Sequence, residues 1–280
     1  MKNLADKVAA VTGAGSGIGR GLALALAAQG CHLALSDVDG AGLKKTAALL
    51  ADSGVTTTTT VLDVADEAGV YAWADRVVAD HGRVDLVFNN AGVALSGTVG
   101  GIGLDSYRWI MDINFWGVVY GTKAFLPHLE ASGEGHVVNT SSVFGLSAQP
   151  LMSGYNASKF AVRGFTESLR QDLKAAGSAV SATCVHPGGI RTNIARTARH
   201  DDSVRELTGR SGEEAGQEFE KLFITSPEKA AAAILRGVRR DRPRVLIGAD
   251  ARLLDALVRV LPTGYQRVFT AAVRSRRSRG

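Results

Sequence analysis

The sequence predicts a doubly wound α/β fold: one parallel sheet between two layers of helices, three layers in all, in a single domain. Three observations predict it. Short apolar runs alternate with helical runs from Lys7 to Ile247, and strands separated by helices return parallel to one another. A glycine-rich turn, Gly13-Ala14-Gly15-Ser16-Gly17-Ile18-Gly19, sits between the first apolar run and the first helical run. The residues able to do chemistry fall where strands end, the edge at which such sheets bind ligands.

Lys7 to Thr12 reads as a short buried strand, and a helical pattern through Leu22, Leu24 and Leu26 stops at Gly30. Glycines between them permit a tight turn and let backbone approach a pyrophosphate. The helix amino terminus adds free N–H groups and a positive dipole end. The spacing is Thr-Gly-x-x-x-Gly-x-Gly through Gly13, Gly17 and Gly19, not the commoner Gly-x-Gly-x-x-Gly. A second strand, His32 to Ser36, ends at Asp37, 18 residues past Gly19. A carboxylate there accepts hydrogen bonds from an adenosine ribose 2′-OH and repels a 2′-phosphate. With Ser16 instead of a basic residue before Gly17, this favours NAD over NADP; Arg20 is the contrary sign. Asp37 also suits the turn Asp37-Val38-Asp39-Gly40.

A helix then reaches about Asp52, and a β-branched run from Val55 to Val61 leads to Asp63. The next helix sets Val70, Trp73, Ala74, Val77 and Val78 on one face. A strand from Val84 to Phe88 exits into Asn89-Asn90-Ala91-Gly92, whose composition fits a plain turn as well as a ligand contact. A long helix spans about Asp105 to Leu126 and stops before Pro127. Within it, Asn114 is a poor interior residue, because its amide competes for backbone partners. The strand His136 to Asn139 precedes Ser142. A helix carries Tyr155 to about Ala176, the strand Ala179 to Val185 ends in His186-Pro187-Gly188-Gly189, and the last strand is Arg244 to Ile247.

In that helix Tyr155 and Lys159 lie one turn apart on one face. An ammonium beside a phenol stabilises the phenolate and lowers its pKa from about 10, giving a general base usable near neutrality. Ser142 can bond the same substrate oxygen. Alone, a Tyr and a Lys four apart are an ordinary surface pair; the glycine turn is what gives them a partner.

The 280 residues suit one large domain. No apolar run is long enough to span a membrane. Met1 to Asp6 lead straight into a strand, which leaves no room for a signal peptide, so a cytoplasmic location is expected. Cys31 and Cys184 fall in apparent strands without metal or redox spacing and read as buried small hydrophobes. No metal-ligand cluster is visible. The net charge of +5 is uneven: residues 236–280 hold twelve Arg and three Asp, so the body before them is mildly acidic.

Taken together, Thr12-Gly13 through Gly19, Asp63, Asn89-Asn90-Ala91-Gly92, Asn114, Ser142 thirteen residues before Tyr155, Lys159 and Pro187-Gly188 resemble the classical short-chain dehydrogenase/reductase family over about residues 5–250. The resemblance implies a Rossmann fold, a nicotinamide cofactor, interconversion of alcohol and carbonyl, and a homodimer or homotetramer. It assigns cofactor contacts to Gly13, Ser16, Gly17, Ile18, Gly19 and Asp37, with Asp63 and Val64 at the adenine and Asn90, Ala91 and Gly92 against the cofactor and central sheet. Pro187, Gly188, Ile190 and Thr192 would close over the nicotinamide, beside Tyr155 and Lys159. Asn114 would bend its helix and hold a water behind Lys159. Catalysis would rest on Asn114, Ser142, Tyr155 and Lys159.

Val93, Ala94 and Leu95, Phe144 and Leu146, and Leu151 and Met152 flank these motifs and are mostly apolar. Ordinary core packing explains each one; as a set they imply a hydrophobic secondary alcohol or ketone. The charged, irregular stretch of about 193–225 resembles the family's variable substrate lid. Residues 251–280 form a basic amphipathic extension. There Leu253, Leu254, Leu257, Val258 and Leu261 make one face with Arg252 and Arg259 opposite, and Arg267 and Arg274 repeat the pattern. Such faces pack on the body or a second subunit, or lie on an anionic membrane surface. A dinucleotide-binding module led by this tail is thus the alternative to an enzyme. No recognition motif supports nucleic acid, and Arg274 to Gly280 is expected to be unstructured.

Overall fold

The computed structural model describes residues 1–221 and 223–277. Its first half alternates β1 (Val8–Thr12), α1 (Gly17–Ala27), β2 (His32–Asp37), α2 (Gly40–Leu49), β3 (Thr57–Val61), α3 (Glu67–His81) and β4 (Leu86–Asn89). A two-residue strand β5 (Leu95–Ser96), α4 (Leu104–Met111), α5 (Gly117–Ala131), β6 (His136–Thr140), α6 (Ser153–Ala175) and β7 (Ser181–Pro187) follow. Then come β8 (Arg199–His200), α7 (Ser203–Thr208), α8 (Gly212–Glu220), α9 (Pro227–Arg239), β9 (Arg244–Ile247), α10 (Ala249–Val260) and α11 (Tyr265–Arg277). Seven strands pair in parallel in the order β3-β2-β1-β4-β6-β7-β9. The order reverses between β1 and β4, which opens the crevice where such sheets take ligands.

The inner strands are apolar on both faces, as a covered parallel sheet requires, while the threonine-rich β3 at the edge is part-exposed. Ala9, Val11, Leu33, Leu35, Leu86 and Phe88 point to one layer, where they meet Leu22 and Leu26 of α1 and Ile234 and Leu235 of α9. Val8, Ala10, Ala34 and Val87 point to the other, against Trp73 of α3 and Phe125 and Leu129 of α5. Trp73 and Phe125 meet edge to face at 5.1 Å, a geometry that adds about 1 kcal/mol to their burial.

Four expectations are corrected. The helix expected to stop before Pro127 continues to Ala131. Proline deprives the helix of one N–H bond, but Phe125 and Leu129 on either side are fully buried and hold the last turn down. The same run is also broken earlier, at Asp112–Trp116, by a π-helical turn. The lid stretch carries α7, α8 and the strand β8, which pairs with β5 in a ribbon of its own. Arg274 to Arg277 are helical; Ser278 to Gly280 lie outside the described residues.

The tail's apolar face divides. Ala251 is buried, and Leu254 and Val258 are half-buried on the same side. Leu253 is 73% exposed, and Val260 and Leu261 are exposed with it. In α11, Tyr265 is buried and its hydroxyl accepts the Ala148 N–H at 3.2 Å, so the tail docks by one face only. No helix among the described residues is long and apolar enough to cross a membrane.

Candidate active site

The site begins at the exit of β1. Gly13 and Gly17 have φ of +67° and +50°, a region that only glycine adopts without strain. At Gly19 the reason is contact: a Cβ there would sit 2.0 Å from the Gly13 carbonyl oxygen and 2.9 Å from Asn90 Nδ2. The turn is fastened to β4. Thr12 Oγ1 accepts the N–H groups of Asn90 and Ala91 at 3.0 Å each, and Asn90 Nδ2 donates to the Thr12 carbonyl at 3.1 Å. Ser16 caps α1 without any side-chain hydrogen bond. A close-approach turn with glycine at positions 13, 15 and 17, leading into a helix start whose first N–H groups no side chain caps, fits a pyrophosphate.

Asp37 closes the other side of the turn. Its Oδ2 accepts the Gly15 N–H at 2.7 Å and its Oδ1 the Asp39 N–H at 2.9 Å. Arg20 is committed to the scaffold: its guanidinium donates to the carbonyls of Gly15 and Gly42 and to Thr46 Oγ1. Asp63 follows β3 and accepts the Ala65 N–H at 3.0 Å, while Val64 is buried against Gly117.

Opposite the turn stands Tyr155, in the first turn of α6. The Ser142 hydroxyl lies close enough to stabilise its phenolate, and Ser142 Oγ accepts the Phe144 N–H at 3.1 Å. Ser142 is held from behind, because His186 Nδ1 donates to its carbonyl at 3.0 Å. Burial drives the pKa of His186 down to about 4, so this ring is neutral, with one nitrogen left to donate. Phe144 packs edge-on against the Tyr155 ring, centroids 5.7 Å apart. Lys159 is buried; its Nζ donates to the Thr140 carbonyl at 3.1 Å and lies 5.6 Å from the centre of the Tyr155 ring. Ser141 Oγ donates to the Lys159 carbonyl at 2.7 Å, which joins the end of β6 to α6.

One electrostatic expectation fails. The Tyr155 phenol is pushed up to about 12, not lowered. Desolvation penalises the phenolate more than the Ser142 hydrogen bond stabilises it. Lys159 is itself drawn down to about 8 by burial, and its ammonium faces the Thr140 carbonyl.

Asn114, buried in the π turn, bonds both ways with Val93: Oδ1 accepts the Val93 N–H at 2.8 Å and Nδ2 donates to its carbonyl at 2.9 Å. Nδ2 also donates to Ser158 Oγ at 3.1 Å. The extra residue of a π turn re-aims side chains, and here it brings α5, the strand exit of β4 and α6 to one point. A Cβ on Gly92 would lie 3.1 Å from Asn114 Oδ1 and 3.3 Å from Lys159 Nζ.

From β7 the chain Pro187 to Thr192 crosses to the glycine turn. There a Cβ on Gly17 would lie 2.9 Å from Thr192 Cγ2. Ile190 turns its side chain into the core and is 4% exposed, so only its backbone is left for the crevice. Sequence reasoning missed what anchors this loop. Asp250, in the first turn of α10, accepts the Gly189 N–H on Oδ2 at 2.6 Å, and a Cβ on Gly188 would sit 2.2 Å from the same oxygen. Paired glycines beside a late Asp were the only signal.

An apolar cluster adjoins the Tyr155 ring: Ala94, Leu95, Ile102 and Ile110, with Val93, Tyr107, Trp109, Phe144 and Met152 at its margin and Ile194 and Ala198 from the stretch after β7. Leu146 is buried outside it. The structure thus links the glycine turn to Asn90 and Ala91 and to Thr192, and Gly92 to Lys159 beside Tyr155 and Ser142, with an apolar cluster against the Tyr155 ring.

Comparison with known proteins is consistent along the whole chain. The family profile described as short chain dehydrogenase matches residues 7–203. SadH of Mycobacterium tuberculosis, whose name marks its oxidoreductase assignment as provisional, is 49% identical over 98% of this chain and 97% of its own. A solved short chain dehydrogenase/reductase from Burkholderia phymatum in complex with NAD superposes with a TM-score of 0.85 at 32% identity, covering 94% of this chain and 96% of that one. The structure of levodione reductase gives 0.78 at 29% identity, over 91% of this chain and 100% of that one.

Proposed function

The chain belongs to the short chain dehydrogenase family, and from that premise we propose that it interconverts a hydrophobic secondary alcohol and its ketone with a nicotinamide dinucleotide. What supports the reading is that Tyr155 lies beside Ser142 and Lys159, and that a Cβ on Gly92, next to the glycine turn's partner Ala91, would lie 3.3 Å from Lys159 Nζ. When bound, the dinucleotide supplies the hydride chemistry.

The chain's own groups do the rest. Ser142 Oγ orients the substrate oxygen beside the Tyr155 hydroxyl. At neutral pH the buried phenol is protonated, which suits it to donate a proton to a carbonyl oxygen during reduction. In oxidation Tyr155 takes the proton, and that direction needs positive charge nearby. Lys159 keeps its charge below about pH 8. The apolar wall excludes water and favours a hydrophobic substrate, in keeping with the Burkholderia relative that binds NAD and the relative named for reducing levodione. NAD is the preferred form, because the Asp37 carboxylate stands at the edge of the turn and Arg20 is tied back through Nε and Nη2 to Gly15, Gly42 and Thr46.

The test is a titration with NADH and NADPH, followed by a screen of secondary alcohols and ketones with wild type and Tyr155→Phe. NADH binds more tightly, and the variant keeps that binding while losing about 10²–10⁴ in turnover. Unchanged turnover in Tyr155→Phe rejects the proposed proton donor; preference for NADPH rejects the role given to Asp37.

A further inference from the structure

The ribbon formed by β5 and β8 places a charge beside an otherwise apolar wall. In a parallel pair, residues directly opposite one another point to the same face. The register sets Leu95 opposite Arg199 and Ser96 opposite His200. Leu95 is buried in the cluster that holds Tyr155, so Arg199 stands on the substrate face. On the far face Ser96 Oγ and His200 Nδ1 bond to each other at 2.7 Å. Arg199 lies flat over the Trp109 ring, 3.6 Å from its centre, and Trp109 packs on the same apolar cluster.

Two other arginines of this stretch are paired, Arg196 with Glu220 and Arg210 with Glu218; Arg205 lies on α7, outside the ribbon. Close to Trp109, Arg108 is paired with Asp105. Arg199 has no carboxylate partner and donates no side-chain hydrogen bond among the described residues. Its guanidinium is held by stacking alone, which leaves the donor fork free for a planar anion.

We infer that the substrate is amphipathic, an apolar body seated beside Tyr155 with a carboxylate or comparable anionic group read by Arg199 at the rim of the pocket. This rests on the substrate-side pocket of the function proposed above. The opposing view is mechanical: stacking on Trp109 fastens the lid strand, and the charge has no ligand.

Calorimetric titration of the NADH-saturated enzyme with decanoate and with decanamide separates the two. The ligands share a chain and differ in charge. Wild type is expected to bind decanoate at least tenfold more tightly than decanamide, with Arg199→Gln removing the difference and Arg199→Lys restoring part of it. A fastener predicts that Arg199→Gln weakens both ligands equally. Equal affinity of wild type for the two, a preference that survives in Arg199→Gln, or no binding of decanoate at millimolar concentration overturns the inference. NADH affinity and melting temperature, measured on the same samples, show that the variants are folded. Loss of NADH binding by wild type would instead count against the dinucleotide reading.

Discussion

Lys159 should lower the stability of the protein that it serves. Its ammonium is buried and its pKa falls from 10.5 to about 8 because burial penalises the charged form. Each pH unit of that interval is worth about 1.4 kcal/mol, so charge burial costs roughly 3 kcal/mol at pH 7. Replacing Lys159 by Met removes the penalty and also leaves the Thr140 carbonyl without its donor, a loss of about 1–2 kcal/mol. The variant should therefore be more stable than wild type at pH 7 by about 1–2 kcal/mol, or roughly 2–8 °C in melting temperature for a chain of this size. The pH dependence gives the sharper test. Below pH 8 the lysine is protonated in both states and the penalty is complete. Between pH 8 and 10.5 the native lysine is neutral while the unfolded one still binds a proton, so wild-type stability rises with pH. The advantage of Lys159→Met should shrink steadily over that window and vanish or reverse near pH 10. Urea melts of both proteins at pH 7, 8.5 and 10 measure it. A variant that is less stable at pH 7, or whose difference from wild type does not change with pH, would show that the buried ammonium is not the strained group.

Two further substitutions probe the crevice. Gly19→Ala puts a methyl 2.0 Å from the Gly13 carbonyl, so the turn must open. A stability loss of about 1–3 kcal/mol and at least a tenfold loss of NADH affinity are expected, and fluorescence titration reads the second. Asp250→Ala frees the Gly189 N–H and loosens Pro187 to Thr192. A several-fold rise in the NADH dissociation constant should follow and be rescued by Asp250→Asn, which keeps an acceptor for that N–H; equal affinity in all three proteins would show that the loop needs no anchor.

Much of the site was legible because its parts are local. The glycine turn is contiguous, and the pairing of Tyr155 with Lys159 follows from helical spacing. Asn114 announced itself as a residue ill suited to a helix interior, though nothing in the spacing said that the helix would widen into a π turn to seat it. What stayed hidden depends on contacts across the chain. The Asp250 link to Gly189 spans 61 residues. Strands of two residues, such as Leu95–Ser96 and Arg199–His200, are too short to show any period. Pro127 was misread because local propensity yields to the burial of Phe125 and Leu129. The direction of the Tyr155 shift could not be foreseen from spacing, since it is set by how deeply the ring is sunk.

The short ribbon also bears on how a ligand enters and leaves. The segment after β4 meets residues 199–203 through two backbone hydrogen bonds, Arg199 N–H to the Ala94 carbonyl at 3.0 Å and Asp201 N–H to the Ser96 carbonyl at 2.9 Å, and through two that involve side chains, Ser96 Oγ with His200 Nδ1 at 2.7 Å and Thr98 N–H to Ser203 Oγ at 2.9 Å. At about 1 kcal/mol net for each bond, parting the ribbon costs about 4 kcal/mol besides the Arg199 contact with Trp109, and none of these bonds belongs to the seven-stranded sheet. If the protein takes the bulky substrate proposed for it, this seam is where the wall is expected to part and reseal while the seven-stranded floor beneath keeps its register.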